Sequence, residues 1–191
     1  MKTNRKEIIL QQAMELIIEN GLGGLTMSNV ARRMEFTEPA MYRHFQNKQD
    51  LVISLIQRVS LCLEDVFNQF DQNEPPEIFF PRYFEALLEY FQKVRGVTLL
   101  FLSESSFNSS QATRDELQLM FKAQNQRIAS YLDNAQARGE LLPDVDSTAA
   151  ALVFLGTVQA ITTRFLLSSY NIGTLKSSRP ALDIFLKGVV G

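Results

Sequence analysis

Apolar residues in this chain recur at intervals of three and four, and no run alternates apolar with polar positions for long enough to make a strand. The pattern predicts an all-α protein of about nine helices. The first runs from about residue 4 to residue 20, with Ile9, Ala13, Leu16 and Ile17 as its buried stripe. Gly21-Leu22-Gly23-Gly24 ends it, because glycine accepts the left-handed backbone of a helix C-terminus. Thr26 caps a second helix that carries Val30, Ala31 and Met34; a hydroxyl offered to unpaired backbone N–H groups contributes about 1 kcal/mol. After a turn at Glu35-Phe36, Thr37 caps a third helix with Glu38 and Pro39 in its first turn. Ala40, Met41 and Phe45 give that helix its apolar contacts.

A long fourth helix starts near Lys48. Val52, Leu55, Ile56, Val59, Leu63, Val66, Phe67 and Phe70 keep helical spacing along it until Asp71 to Pro76 breaks the pattern. Five more helices are expected near 78–94, 97–106, 111–138, 146–170 and 179–189, the fourth of these capped by Asp146 or Ser147. The organisation suggests a small N-terminal domain over residues 1–47 and a larger helical one over 48–191.

Composition sharpens this picture only in places. Hydrophobic residues make up 46% of the chain, enough for a real core. Net charge is −2, but residues 1–60 hold eight Lys or Arg against six acids, so the basic excess lies at the N-terminus. Cys62 is the only cysteine, which excludes an internal disulfide and suits a reducing, cytoplasmic setting. The N-terminal segment has charges inside its apolar pattern, unlike a signal peptide. The most apolar stretch, 149–167, is interrupted by Thr157, Gln159, Thr162, Thr163 and Arg164, which argues against a membrane span. The sequence offers no nucleophile elbow, no phosphate loop and no metal-spaced set of His or Cys. No enzyme, metal site or cofactor is expected.

The informative run is 26–51, TMSNVARRMEFTEPAMYRHFQNKQDL. Two helices of about seven residues, joined by a short turn and braced by the first helix, form a helix-turn-helix. The third helix then enters the major groove of DNA. Short side chains at its start place Thr37, Glu38, Pro39 and Ala40 nearest the base edges. Tyr42 and His44 flank the strand, and Thr26 and Ser28 reach phosphates from the second helix. Lys48, at the start of the fourth helix, favours a phosphate as well. Met41 and Phe45 read as core. Glu38 suits a cytosine amino group and a helix dipole equally. Arg32 and Arg33 read as solvated charges, with phosphate contact the alternative.

Gly21, Thr26, Val30-Ala31, Thr37, Met41-Tyr42, His44-Phe45, Lys48 and Asp50-Leu51 stand in the order and spacing of the TetR family of transcriptional regulators, which residues 5–55 closely resemble. Glu35 departs from that pattern where a turn glycine is usual; a left-handed backbone there costs about 1 kcal/mol. Pro39 departs where glycine is common.

The resemblance implies a cytoplasmic homodimer, formed by pairing the last two long helices of each subunit, that reads a palindromic operator with half-sites about 34 Å apart. The all-round apolar segment 149–156 and the last helix, with Leu182, Ile184, Phe185 and Val189, fit such a bundle. It also implies a small-molecule effector inside the larger domain. Twelve of the fourteen phenylalanines follow residue 60, so the expected ligand is apolar or aromatic. Phe84, Phe91, Phe101, Phe121, Tyr131 and Phe154 are candidate lining residues; Gln124, Gln159 and Thr163 are candidate polar anchors. A cationic ligand needs a buried acid, for which Glu85, Glu89 and Glu104 are candidates. The alternative is a TetR-like DNA-binding protein that acts through a protein partner.

Overall fold

The structure, a computed structural model, describes residues 5–95, 97, 98, 100, 110–169, 171, 173 and 178–190. Eight helices and no strand lie among the described residues: α1 (Arg5–Gly24), α2 (Met27–Arg33), α3 (Glu38–Met41), α4 (Lys48–Asn68), α5 (Pro76–Lys93), α6 (Gln111–Ala137), α7 (Ser147–Leu167) and α8 (Arg179–Val189). The helix expected over 97–106 falls mostly outside them, although residues 97, 98 and 100 are helical.

The chain forms two units. One takes residues 1–60 and 94–120, the other 61–93 and 121–191. The boundary expected at residue 47 therefore lies inside the first unit. The physical reason is α4, an unbroken helix of 21 residues that contributes to both units, as α6 does.

In the first unit α1 buries Ile9, Leu10, Ala13, Met14, Leu16 and Ile17. It does not simply stop at Gly21. That residue kinks it at φ 65°, ψ −178°, a conformation essentially confined to glycine, and a last turn follows before Leu25. Thr26 caps α2 as expected: its hydroxyl accepts from Asn29 N–H at 3.1 Å. The Asn29 amide in turn donates to the Gly24 carbonyl at 2.8 Å, tying the end of α1 to the start of α2. A Schellman turn closes α2, with Phe36 N–H donating to Ala31 O (2.9 Å) and Glu35 N–H to Arg32 O (3.2 Å). Glu35 holds the left-handed position, at φ 54°.

In the second unit α7 packs on α5 and α8. Aromatic rings fill the space between them. Phe79 stacks on Tyr131 with centroids 4.0 Å apart, and Phe80 meets both Phe154 and Phe185 at 4.9 Å. Asp146, not Ser147, caps α7, accepting from Ala149 N–H at 2.9 Å. By length and composition α7 is apolar enough to cross a membrane, but here one face is buried against its neighbours. The opposite face carries Leu152 and Val153, 66% and 57% exposed.

Candidate nucleic-acid interface

α3 is shorter than the sequence suggested. It spans only Glu38–Met41, after which the hydrogen bonds from Arg43 to Ala40 and from His44 to Met41 tighten to the i−3 pattern. Met41 and Phe45 are buried and anchor the segment, which turns the intervening residues outward. Thr37, Glu38, Pro39 and Tyr42 are exposed, Tyr42 by 50%. Ala40 is half-buried. Thr37 stands at the cap position with extended backbone, yet its side chain makes no capping bond. The expected cap is thus corrected: the backbone carbonyl starts the turn, accepting from Ala40 N–H at 2.9 Å.

His44 is half-buried, its ring stacked on Phe36 at 6.3 Å and 22°. That contact fixes the end of the segment that follows α3. Ser28 is exposed on α2 and Thr26 is half-buried at its cap. Lys48 is exposed and its Nζ donates to the Leu22 carbonyl at 3.3 Å, so it also joins the start of α4 to the end of α1.

Arg33 has a structural task the sequence did not indicate. Its Nε donates to Gln12 Oε1 (2.7 Å), Nη1 to Glu19 Oε2 (2.6 Å) and Nη2 to Glu15 Oε2 (3.0 Å). All three partners lie on α1, so the guanidinium clamps α2 against it. The hydrogen bond to Arg33 holds the Glu19 carboxyl below its ordinary value. Arg33 is therefore a brace between α1 and α2 and not simply the solvated charge expected from the sequence. Arg32 and Arg43 are exposed and form no ion pair among the described residues. Arg43 belongs with the candidate backbone contacts; exposed beside Tyr42, it is a cation that a pattern centred on Tyr42 and His44 passes over.

α4 begins with a cap of two side-chain bonds. Asn47 Oδ1 accepts from Asp50 N–H, and the Asp50 carboxylate accepts from Gln46 N–H, both at 2.9 Å. The Asn-x-x-Asp spacing is a sequence signal for this cap.

Of the candidate effector residues, Phe84, Phe91, Gln124, Tyr131 and Phe154 are buried in the second unit. Phe101 and Glu104 lie outside the described residues. Phe121 is 39% exposed, because α6 turns Met120 inward instead. Tyr131 is part of the packed ring cluster and donates its hydroxyl to the Glu74 carbonyl at 2.8 Å. Gln159 is exposed and Thr163 half-buried on α7, so Gln159 does not point inward. Glu85 pairs with Arg179 and Glu89 with Lys93, all at the surface, which removes both as buried acids. Among the described residues no three His, Cys, Asp or Glu side chains gather as metal ligands.

A short braced helix-turn-helix, with its second helix exposed at the start and anchored at the end, defines a DNA-binding transcriptional regulator. Residues 9–55 match the model of the bacterial regulatory proteins of the tetR family. The chain therefore carries the DNA-binding domain of that family near its N-terminal end. Over 172 residues it is 26% identical to the nucleoid occlusion factor SlmA of Vibrio cholerae, covering 88% of this chain and 87% of that protein. It is 23% identical over 186 residues to the fatty acid metabolism regulator protein of Bacillus subtilis, covering 95% and 93%. The solved structure of the transcriptional regulator FadR from Bacillus subtilis in complex with stearoyl-CoA shares the fold, with a TM-score of 0.81 at 18% identity, over 94% of this chain and 97% of that one.

Proposed function

We propose that this regulator is a cytoplasmic homodimeric repressor, bound to a palindromic operator and released by a small apolar effector. The observation that carries the DNA part is the side-chain division around α3: Met41 and Phe45 inward, Thr37, Glu38, Pro39 and Tyr42 outward. Such an edge offers short groups to base edges and a phenol with nearby cations to phosphates.

The dimer is supported by an apolar stripe. Leu152, Val153 and Leu167 on α7 and Ile184 on α8 are 57–77% exposed in the single chain. Gly156 and Gly188 lie exposed on the same two helices, with open space where a Cβ would stand, so a second pair of helices can come close. Burial of that stripe by its own copy explains both the apolar surface and the missing side chains.

The effector is supported by the aromatic-rich interior of the second unit and by the likeness to a fatty acid metabolism regulator. A ligand that moves the C-terminal turns of α4 shifts Lys48 at the other end of the same helix. It must favour one state over the other by a few kcal/mol to matter. The likeness to a nucleoid occlusion factor supports the second reading, in which a protein partner replaces the effector.

Selection from randomised duplex DNA tests the proposal. The expected product is a palindrome, and a compound found to bind the protein then lowers its affinity for that site. A selected site whose affinity no bound compound changes favours the partner reading.

A further inference from the structure

Four buried side-chain atoms have no hydrogen-bond partner among the described residues: Tyr83 Oη, Gln124 Nε2, Arg127 Nη1 and Ser147 Oγ. The first three share one region of the second unit. Tyr83, on α5, is 0% exposed and Gln124, on α6, is 3% exposed. Arg127 lies one turn beyond Gln124, on the same face of α6. Phe67 of α4 connects the two helices: its ring meets Tyr83 edge-on at 5.3 Å, and the Arg127 guanidinium lies 5.9 Å from its centroid. Tyr83 also stacks on Phe154 at 5.8 Å. Asn125, beside Gln124, donates to Thr148 O at 3.4 Å, which brings the start of α7 and Ser147 next to this turn of α6.

The three groups have one chemistry. Burial holds the Tyr83 phenol protonated, so its O–H remains a donor. The Gln124 amide nitrogen and the Arg127 guanidinium nitrogen only donate. Arg127 is charge-balanced through its other nitrogen, Nη2, 3.2 Å from Glu64 Oε2. Its Nη1 is left without an acceptor. A buried donor lacking an acceptor is disfavoured, and native interiors hold few of them. A few buried donors among apolar and aromatic side chains are what orients a ligand in a binding pocket.

We propose that Tyr83, Gln124 and Arg127 form the polar end of the effector site, and that they take an apolar ligand by an acceptor oxygen, a carbonyl or a carboxylate. The inference rests on the effector reading above and narrows it. It excludes a cationic amine head, because Glu64, the acid next to these donors, is already paired with Arg127. It also couples the ligand to DNA binding through Phe67, which sits on α4 between the donors.

The test uses the full chain and four probes with one ten-carbon tail: decanoate, methyl decanoate, decan-1-ol and decylamine. Calorimetric titration and thermal melting read binding. Decanoate or methyl decanoate binds at least about tenfold more tightly than decylamine, and the preference between these two identifies a carboxylate or a neutral carbonyl. Tyr83→Phe and Gln124→Leu each weaken that binding about five- to tenfold, the loss of one hydrogen bond. Ligand-free, both variants melt no lower than the natural chain, since each removes a donor that the fold itself does not satisfy. Equal or tighter binding of decylamine overturns the proposal, as does unchanged affinity in both variants or no binding of any probe. Lower melting in the ligand-free variants with unaltered probe binding assigns the donors to structural water and overturns it too. The effector reading is judged separately, by operator affinity: decylamine that binds and releases the operator leaves that reading standing while this site falls.

Discussion

Glu35 and Gly139 occupy the same place in two turns of the same kind. Each is the left-handed residue of a Schellman motif, at φ 54° and φ 76°, and in each the next residue bonds back to a helix carbonyl. Only Gly139 adopts that backbone without a steric penalty; Glu35 bears about 1 kcal/mol. Glu35→Gly removes the strain but adds freedom to the unfolded chain, roughly 0.5–1 kcal/mol, so the terms nearly cancel. Chemical denaturation is expected to find Glu35→Gly at least as stable as the natural chain, and Gly139→Ala weaker by about 1 kcal/mol. A clear loss in Glu35→Gly removes the strain argument. At this scale local chemistry was legible and distant chemistry was not. The Thr26 cap involves residues three apart, and the sequence pattern contains it. The Arg33 clamp joins residues 14 to 21 apart, and no spacing rule reaches that far.

The helix-turn-helix works as an element because its helices and the start of α4 are fixed by different means. Arg33 ties α2 to α1, Lys48 ties α4 to α1, and Met41 with Phe45 seats α3. Glu19 is held below its ordinary value, so the Arg33 brace is fully charged at neutral pH. It weakens only as the pH falls through that lowered value, when Glu19 takes up a proton. Mutation separates bracing from phosphate contact. Arg33→Ala is expected to lower the melting temperature and operator affinity while leaving the salt dependence of binding unchanged. Lys48→Ala, Arg43→Ala and Tyr42→Ala weaken binding to every operator, and each lost cation flattens the log-log salt slope by about one unit. Anisotropy titrations at several salt concentrations decide it; a flattened slope in Arg33→Ala returns that residue to the DNA surface.

For the whole molecule the exposed stripe on α7 and α8 matters most. A charge within it has no partner in a closed two-fold bundle and is costly to bury. Leu152→Glu is expected to convert the dimer to a monomer in sedimentation while keeping the helical circular dichroism. Operator affinity then falls about a hundredfold or more, because two half-sites no longer act together. A variant that stays dimeric places the subunit contact elsewhere.

The sequence by itself determined the helices and the helix-turn-helix. Both follow from periodicity, caps and turn residues within a few positions of one another, and seven of the nine expected helices lie close to their expected bounds. α3 came out shorter because its length depends on how Met41 and Phe45 are seated, which is a matter of packing. Only the tertiary structure decided which apolar residues are core and which are surface. Leu152 and Phe154 are indistinguishable by type, yet one is 66% exposed and the other 1%. It alone set a donor from α5 and one from α6, Tyr83 and Arg127, on one phenylalanine of α4. Such a juxtaposition depends on the rotation of each helix about its axis, which is fixed by contacts between segments far apart in the chain.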